Sequence, residues 1–180
     1  MNIYHGSIEI VASPEIRIPN RSLDYGAGFY ATTSYQQAED WARRRLNRLT
    51  PKVFVNTYDL NEEALNTLSV LKFNEPTDEW VDFVMQNRTQ VGFTHDYDVV
   101  YGPVANDKVY AAFALYEGGV IDKQMLIAEL KTYTLVDQYL FHTEKSLQAI
   151  SFLEAKEISL WLAPSHNQIY TSFSPQKWAD

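Results

Sequence analysis

A glycine-containing turn leads into a short aromatic strand and then directly into a helix within residues 24–42. Gly26 and Gly28 relax the backbone before the strand. Tyr30 lies on that strand and Trp41 on the helix that follows it, with ten residues between them. We expect two rings delivered by adjoining elements to be able to hold a flat heterocycle between them.

The helix of this segment is predicted to begin after Ser34 and to end at Pro51. Gln37 has the spacing of the reciprocal residue of a capping box. The helix has an apolar stripe, which predicts burial of one face; its members are Ala38, Trp41, Ala42, Leu46 and Leu49. The Trp41 ring therefore has two roles that are compatible with each other, core packing and ring stacking.

The other predicted elements alternate irregularly along the chain. β-branched and aromatic content predicts strands at 3–6, 53–58, 69–73, 98–101 and 139–142, the last being the final clear strand. Helices are predicted from Asn61, over 79–88 after a Thr77 or Asp78 cap, from Asn106 through Tyr116, from Asp122 to about Lys131, and from a Thr143 cap through Leu147 and Ile150. This order lacks the strand–helix rhythm of a parallel doubly wound sheet, so we expect an α+β fold.

Composition limits the protein class. A chain of 180 residues is long enough for one domain with a sizeable core. The absence of cysteine excludes disulfides and cysteine-based sites, and the chain has neither an apolar run of about 20 residues nor a signal-peptide pattern at its start. We therefore expect a cytoplasmic protein without a membrane partner. Histidine spacing does not match a metal site, so no metal is expected.

Charge argues against broad binding to a phosphate backbone, since the net charge is −8. A local exception is the basic segment of residues 43–45 with Arg48. It forms either a solvated helix face or a small patch that steers an anionic ligand such as a dinucleotide.

The predicted organisation is a domain over residues 1–154 followed by a C-terminal extension over 155–180. The extension is weakly patterned. It either docks on the domain through residues 160–162 or is partly mobile from Ser165 onward.

Three short blocks in order carry a family resemblance: 4–7 (Tyr-His-Gly-Ser), 26–33 with Ala38 and 41–42, and 137–143 (Asp-Gln-Tyr-Leu-Phe-His-Thr). Together they resemble the ADP-ribosyltransferase superfamily, in its diphtheria-toxin and poly(ADP-ribose) polymerase branch. The third block and residues 98–105 also resemble an uncharacterised bacterial family grouped with those enzymes, over about residues 2–154. The resemblance implies a split, mostly antiparallel β core with peripheral helices and a cleft for NAD as co-substrate.

The resemblance also implies roles for four residues. His5 would bond the adenosine-side ribose, and Gly6 would let the backbone bond the nicotinamide carboxamide. Tyr30 would stack on the nicotinamide, with Trp41 as the second aromatic of the sandwich. His5, Tyr30 and Trp41 each also fit a purely structural role, and Gln138 also fits a polar residue of an edge strand.

The third block departs from the motif of the branch, because Gln138 stands where those enzymes carry a glutamate. A neutral amide keeps a hydrogen bond but supplies no negative charge and accepts no proton. Glu144, six residues further on, is a stand-in carboxylate, or else an acidic residue placed by the dipole of its helix.

The leading hypothesis is an NAD-dependent ADP-ribosyltransferase that modifies a protein or nucleic-acid acceptor. It would act as a bacterial effector or as the toxin of a toxin–antitoxin pair, with an antitoxin as partner. Gln138 motivates the alternative of a catalytically weak or inactive module that binds NAD or another protein. An NAD glycohydrolase, with water as the acceptor, is the third hypothesis.

Overall fold

A computed structural model describes residues 1–18, 23–103, 107–133 and 135–159. Seven strands form one sheet, and five α-helices accompany it in this described part of the chain. Among the strand pairs of the described residues, only the pair of the fourth and fifth strands is parallel. The predicted α+β class with a mostly antiparallel sheet is therefore confirmed.

The sheet brings together strands that are distant in sequence. Its order is β4-β5-β6-β2-β1-β3-β7. The strands are β1 (Asn2–Ser7), β2 (Phe29–Thr32), β3 (Lys52–Leu60), β4 (Val70–Lys72), β5 (Val99–Pro103), β6 (Asp137–Phe141) and β7 (Ile150–Ser159). This order places the first, second and sixth strands side by side, so the three predicted motif blocks meet in the middle of the sheet.

Four of the five described α-helices begin where the sequence predicts caps. They are α1 (Tyr35–Arg43), α2 (Asp78–Thr89), α3 (Asp107–Glu117), α4 (Lys123–Leu130) and α5 (Glu144–Leu147), with a short 3₁₀ helix at Glu63–Thr67. The side chains of Ser34, Thr77, Asp122 and Thr143 each accept a hydrogen bond from the backbone N–H three residues ahead. Each bond satisfies a helix donor that has no partner within the helix, which is why these residue types define the starts.

Helix α1 differs from its prediction in length and in one cap contact. It ends at Arg43, and Leu49 is 95% exposed rather than part of a buried stripe. The Asn47 side chain accepts from two backbone N–H groups in the segment after the helix and so stabilises a turn before Pro51. The predicted reciprocal hydrogen bond of the capping box is also wrong. The Gln37 side chain accepts from the Thr32 hydroxyl instead.

Strand β7 replaces the end of a predicted helix and was missed as a strand. Helix α5 stops at Leu147, and Ile150 begins β7, which pairs with β3 along its whole length. The strand continues past Glu154 to Ser159. The predicted helix start at Asn106, the docking of 160–162 and the tail from Ser165 lie outside the described residues.

Hydrophobic cores cover both faces of the sheet. Successive strand residues point to opposite faces, so Leu140 packs with the helical core around Trp80 and Phe113, while Phe141 packs with Phe29 and others on the opposite side. A smaller cluster beneath α1 joins Ala38 and Ala42 to β3 and β7. Within the described residues, no helix has the length and apolar character that a bilayer crossing requires.

Candidate functional site

A cavity of about 310 Å³ opens where β1, β2, β6 and α1 come together. Five of the six predicted site residues line it: His5, Gly6, Tyr30, Trp41 and Gln138. The sixth, Glu144, lies in the first turn of α5 and is not part of the cavity wall. The structure thus brings together the predicted NAD-binding residues and Gln138 and places Glu144 apart from them.

His5 is held in one tautomer at the cavity wall. Its Nδ1 lies 2.7 Å from the Tyr30 carbonyl oxygen, so this nitrogen carries the proton and donates. Burial lowers the pKa of His5, which keeps the ring neutral near pH 7. Nε2 is therefore a hydrogen-bond acceptor, and it has no partner among the described residues. The ring can accept a bond from a hydroxyl of a bound molecule.

The Tyr30 ring is fixed through its hydroxyl. Oη donates to the Gly26 carbonyl at 2.6 Å and accepts from the Tyr25 backbone N–H at 3.3 Å. Burial raises the pKa of Tyr30, so the hydroxyl stays protonated. With both ends of the hydroxyl engaged, the part of Tyr30 left for a ligand is its aromatic face.

The turn before β2 is held at each successive carbonyl by a side chain. The carbonyl oxygens of residues 25–27 accept, in order, from His95 Nε2 at 2.9 Å, Tyr30 Oη at 2.6 Å and His142 Nδ1 at 2.7 Å. The rings of His95 and His142 lie 4.3 Å apart. These bonds explain why a turn with two positive-φ glycines is fixed at the edge of the cavity.

Trp41 lies at the rim of the cavity. Its side chain is 39% exposed, which argues against a core role on the α1 stripe. The guanidinium carbons of Arg44 and Arg45 lie 6.0 Å and 5.8 Å from its ring centroid. The predicted basic segment thus surrounds an accessible aromatic ring beside the cavity.

Gly6 permits the close contact between β1 and α1. A Cβ atom at this position would lie 2.1 Å from the Ala38 carbonyl oxygen and 3.1 Å from the Ala42 nitrogen. Glycine is therefore required for α1 to pack on the strand. The helix in turn carries Trp41 to the cavity rim.

Two glutamine side chains line the cavity. Gln138 lies opposite Thr32 in the sheet, and no hydrogen bond is made by its amide within the described structure. Gln37 accepts from Thr32 Oγ1 through its Oε1 at 2.7 Å, which leaves its NH₂ group as a donor. Sequence reasoning missed Gln37 as a cavity residue because its spacing from Ser34 also fits a cap.

Charged residues of the cavity wall were also missed. Asp24 lines the cavity, is 7% exposed and pairs with Arg88 at 2.8 Å, while Glu15 and Arg17 line it from the segment after β1. The only sequence signal for Asp24 is its place just before the glycine-containing turn. The described residues contain no group of three or more acidic or histidine side chains arranged to hold a metal ion.

Comparison with known proteins gives a family. The profile of a family described as "Protein of unknown function (DUF3990)" matches residues 1–152. The match covers the whole described sheet up to the beginning of β7, and with it every residue of the cavity wall. No curated protein matches the chain.

Proposed function

Since the chain belongs to the DUF3990 family of proteins of unknown function, we propose a function from its cavity: NAD-dependent transfer of ADP-ribose to a protein or nucleic-acid acceptor. The observation that carries the proposal is that His5, Tyr30 and Gln138 line one cavity although they lie on three strands far apart in sequence. Their order is that of the motif residues of the ADP-ribosyltransferases that the sequence resembles, with Gln138 in the place of the glutamate.

The chemistry asks three things of such a cavity. Breaking the bond between nicotinamide and ribose develops positive charge on the sugar carbon, as in glycoside hydrolysis. The protein must hold a ribose, clamp the leaving ring and stabilise that charge. The His5 Nε2 acceptor suits the first task and the aromatic face of Tyr30 the second.

In the proposed reaction the electrons of the broken bond go to the nicotinamide nitrogen, and the ring leaves neutral. A nucleophile of the acceptor then bonds the sugar carbon and loses its proton to water. Gln138 orients the ribose through its amide but takes up no proton. Arg17, which lines the cavity and pairs with Glu9 at 3.3 Å, supplies a basic group for the phosphates.

A second candidate function is a module that binds NAD without cleaving it. Gln138 favours this candidate because its uncharged amide supplies no negative charge opposite the sugar carbon. The two candidates share the cavity and differ only in turnover.

The test incubates the full chain with NAD labelled in its adenosine part, in the presence of a bacterial lysate, and measures nicotinamide release and the labelled product. Label on protein or nucleic acid supports transfer, and free ADP-ribose as sole product selects a glycohydrolase. NAD binding in calorimetry without nicotinamide release selects the binding module. Neither binding nor release refutes the proposal.

A gain-of-function variant sharpens the test. Gln138→Glu places a carboxylate in the cavity and is expected to raise nicotinamide release by roughly tenfold or more, since charge stabilisation at the reacting centre is a large catalytic contribution. Gln148→Glu is the matched control, because Gln148 is exposed at the end of α5 and outside the cavity wall. An equal response of the two variants would count against a site at Gln138.

A further inference from the structure

Asp24 presents one carboxylate oxygen that the protein leaves without a partner. The residue is 7% exposed and lines the cavity. Its Oδ1 accepts from Arg88 Nε at 2.8 Å, while its Oδ2 has no hydrogen-bond partner in the described part of the chain. This oxygen is therefore left to accept a hydrogen bond from water or from a molecule in the cavity.

Arg88 pairs with the Asp24 carboxylate without neutralising its negative charge. The guanidinium is 11% exposed and lies 3.5 Å from a second carboxylate, Glu117. Its central carbon lies 4.4 Å from the Phe113 ring centroid and 4.9 Å from that of Tyr110, a cavity residue. Two carboxylates therefore share one guanidinium, and the formal charge of the three groups together is −1.

The other charged side chains of the wall do not reverse this sign, and Arg44 and Arg45 lie outside the wall, beside Trp41 at the rim. Glu15 adds a second negative group to the wall, and Arg17 is paired with the exposed Glu9. His5 is neutral, as shown above by its buried, carbonyl-bonded ring. The inner wall thus combines a fixed aromatic face with a negative carboxylate.

We propose that Asp24 makes this cavity selective for a flat ring that carries a positive charge, such as a pyridinium, over a neutral ring of the same shape. The ring lies against the face of Tyr30, and the charge is attracted both by that face and by the Asp24 carboxylate. The inference rests on the proposed function for its natural ligand, an oxidised pyridinium nucleotide. The selectivity itself is a property of the cavity wall and is measured with small probes.

The experiment compares two probes of the same shape. 1-Methylnicotinamide carries the charge, and 3-methylbenzamide has the same substitution pattern with a carbon in place of the charged nitrogen. We expect the wild-type protein to bind the cation about tenfold or more tightly, the ratio that one favourable charge interaction supplies. Calorimetry of the full chain gives both dissociation constants.

Variants assign the preference to Asp24. Asp24→Asn is expected to lose most of the preference and to keep only the small part that the Tyr30 face supplies. Glu117→Gln, which leaves the cavity wall unchanged but gives Arg88 to Asp24 alone, is expected to reduce the preference without abolishing binding of either probe. If Asp24→Asn does not fold because Arg88 loses its partner, the double variant D24N/R88M removes both buried charges and serves in its place.

The outcomes separate this inference from the proposed function. Equal binding of the two probes to the wild-type protein, no binding of the cation, or a preference that is undiminished in a folded Asp24 variant overturns the inference, even if NAD is cleaved. A cation preference that depends on Asp24, together with no binding or cleavage of NAD, upholds the selectivity and refutes the proposed function.

Discussion

Replacing Tyr25 with phenylalanine tests whether one hydroxyl group secures the segment that leads into the cavity. Tyr25 is fully buried, and its Oη donates to the Pro103 carbonyl at 2.7 Å and accepts from Trp80 Nε1 at 2.8 Å. Burial raises the pKa of Tyr25 well above its ordinary value, so the hydroxyl remains a donor throughout the accessible pH range. This hydroxyl therefore connects α2 to the end of β5.

The expected loss follows from the groups left behind. Tyr25→Phe leaves a buried indole N–H and a buried carbonyl unsatisfied, and each costs about 1–3 kcal/mol. A Cβ on Gly102 would lie 2.7 Å from Oη, which shows how closely the hydroxyl is packed, so its removal leaves too little space for a water molecule. We expect the free energy of unfolding to fall by about 4 kcal/mol, a large part of the roughly 5–15 kcal/mol typical of a domain.

Urea unfolding followed by tryptophan fluorescence and circular dichroism measures the change. Tyr97→Phe is the matched control, because Tyr97 is only partly buried and its hydroxyl makes no hydrogen bond within the described residues. We expect this control to stay within about 1 kcal/mol of wild type. A loss below about 1 kcal/mol for Tyr25→Phe, relative to the control, would refute the assignment of two satisfied partners to this hydroxyl.

Three further changes test local features by the free energy of unfolding. Gly6→Ala should cost about 2 kcal/mol or more, because its Cβ would meet the Ala38 carbonyl oxygen at 2.1 Å; a neutral result would refute the close packing of α1. Because the pKa of His5 is lowered in the folded protein, the unfolded chain binds more protons below the ordinary pKa of 6.5, so the stability contribution of His5 is full above that pH and is lost as the solution is acidified. His5→Gln should therefore flatten the dependence of the free energy of unfolding on pH between about pH 7 and pH 5. An unchanged slope would contradict this expectation. Asp98→Asn should cost about 1–2 kcal/mol, because the carboxylate accepts from a backbone N–H and the Thr143 hydroxyl, which lower its pKa; urea midpoints that match wild type would argue against these bonds.

Helix starts could be predicted because their causes are local. The caps at Ser34, Thr77, Asp122 and Thr143 bond backbone groups three residues away, so the type and spacing of the residues carry the information. The α+β class followed in the same way from the irregular order of elements. The neighbours of each strand in the sheet could not be predicted in this way, because pairing between distant strands is decided by the whole core.

The helix that was predicted to run through Ile150 shows where prediction from neighbouring residues fails. A short apolar run after a cap suits a helix and a buried strand equally well. Pairing with β3 decides in favour of β7, since it places Ile150 and Ile158 in the core and bonds a strand of ten residues. Likewise, Gln37 has the spacing of a capping residue, but the Thr32 hydroxyl on β2 is its actual partner.

The residues of the cavity wall also differ in whether they could be predicted from the sequence. His5, Tyr30 and Gln138 could be selected from the sequence because they lie in short blocks with recognisable neighbours. Asp24 could not, because its significance depends on Arg88, which is 64 residues away and whose guanidinium is placed by the packing of α2 against α3. Since that guanidinium covers only one oxygen of the carboxylate, the charge offered to a ligand is fixed by tertiary contacts. Any assignment of this cavity from motif residues alone therefore omits the group that determines which charge it accepts.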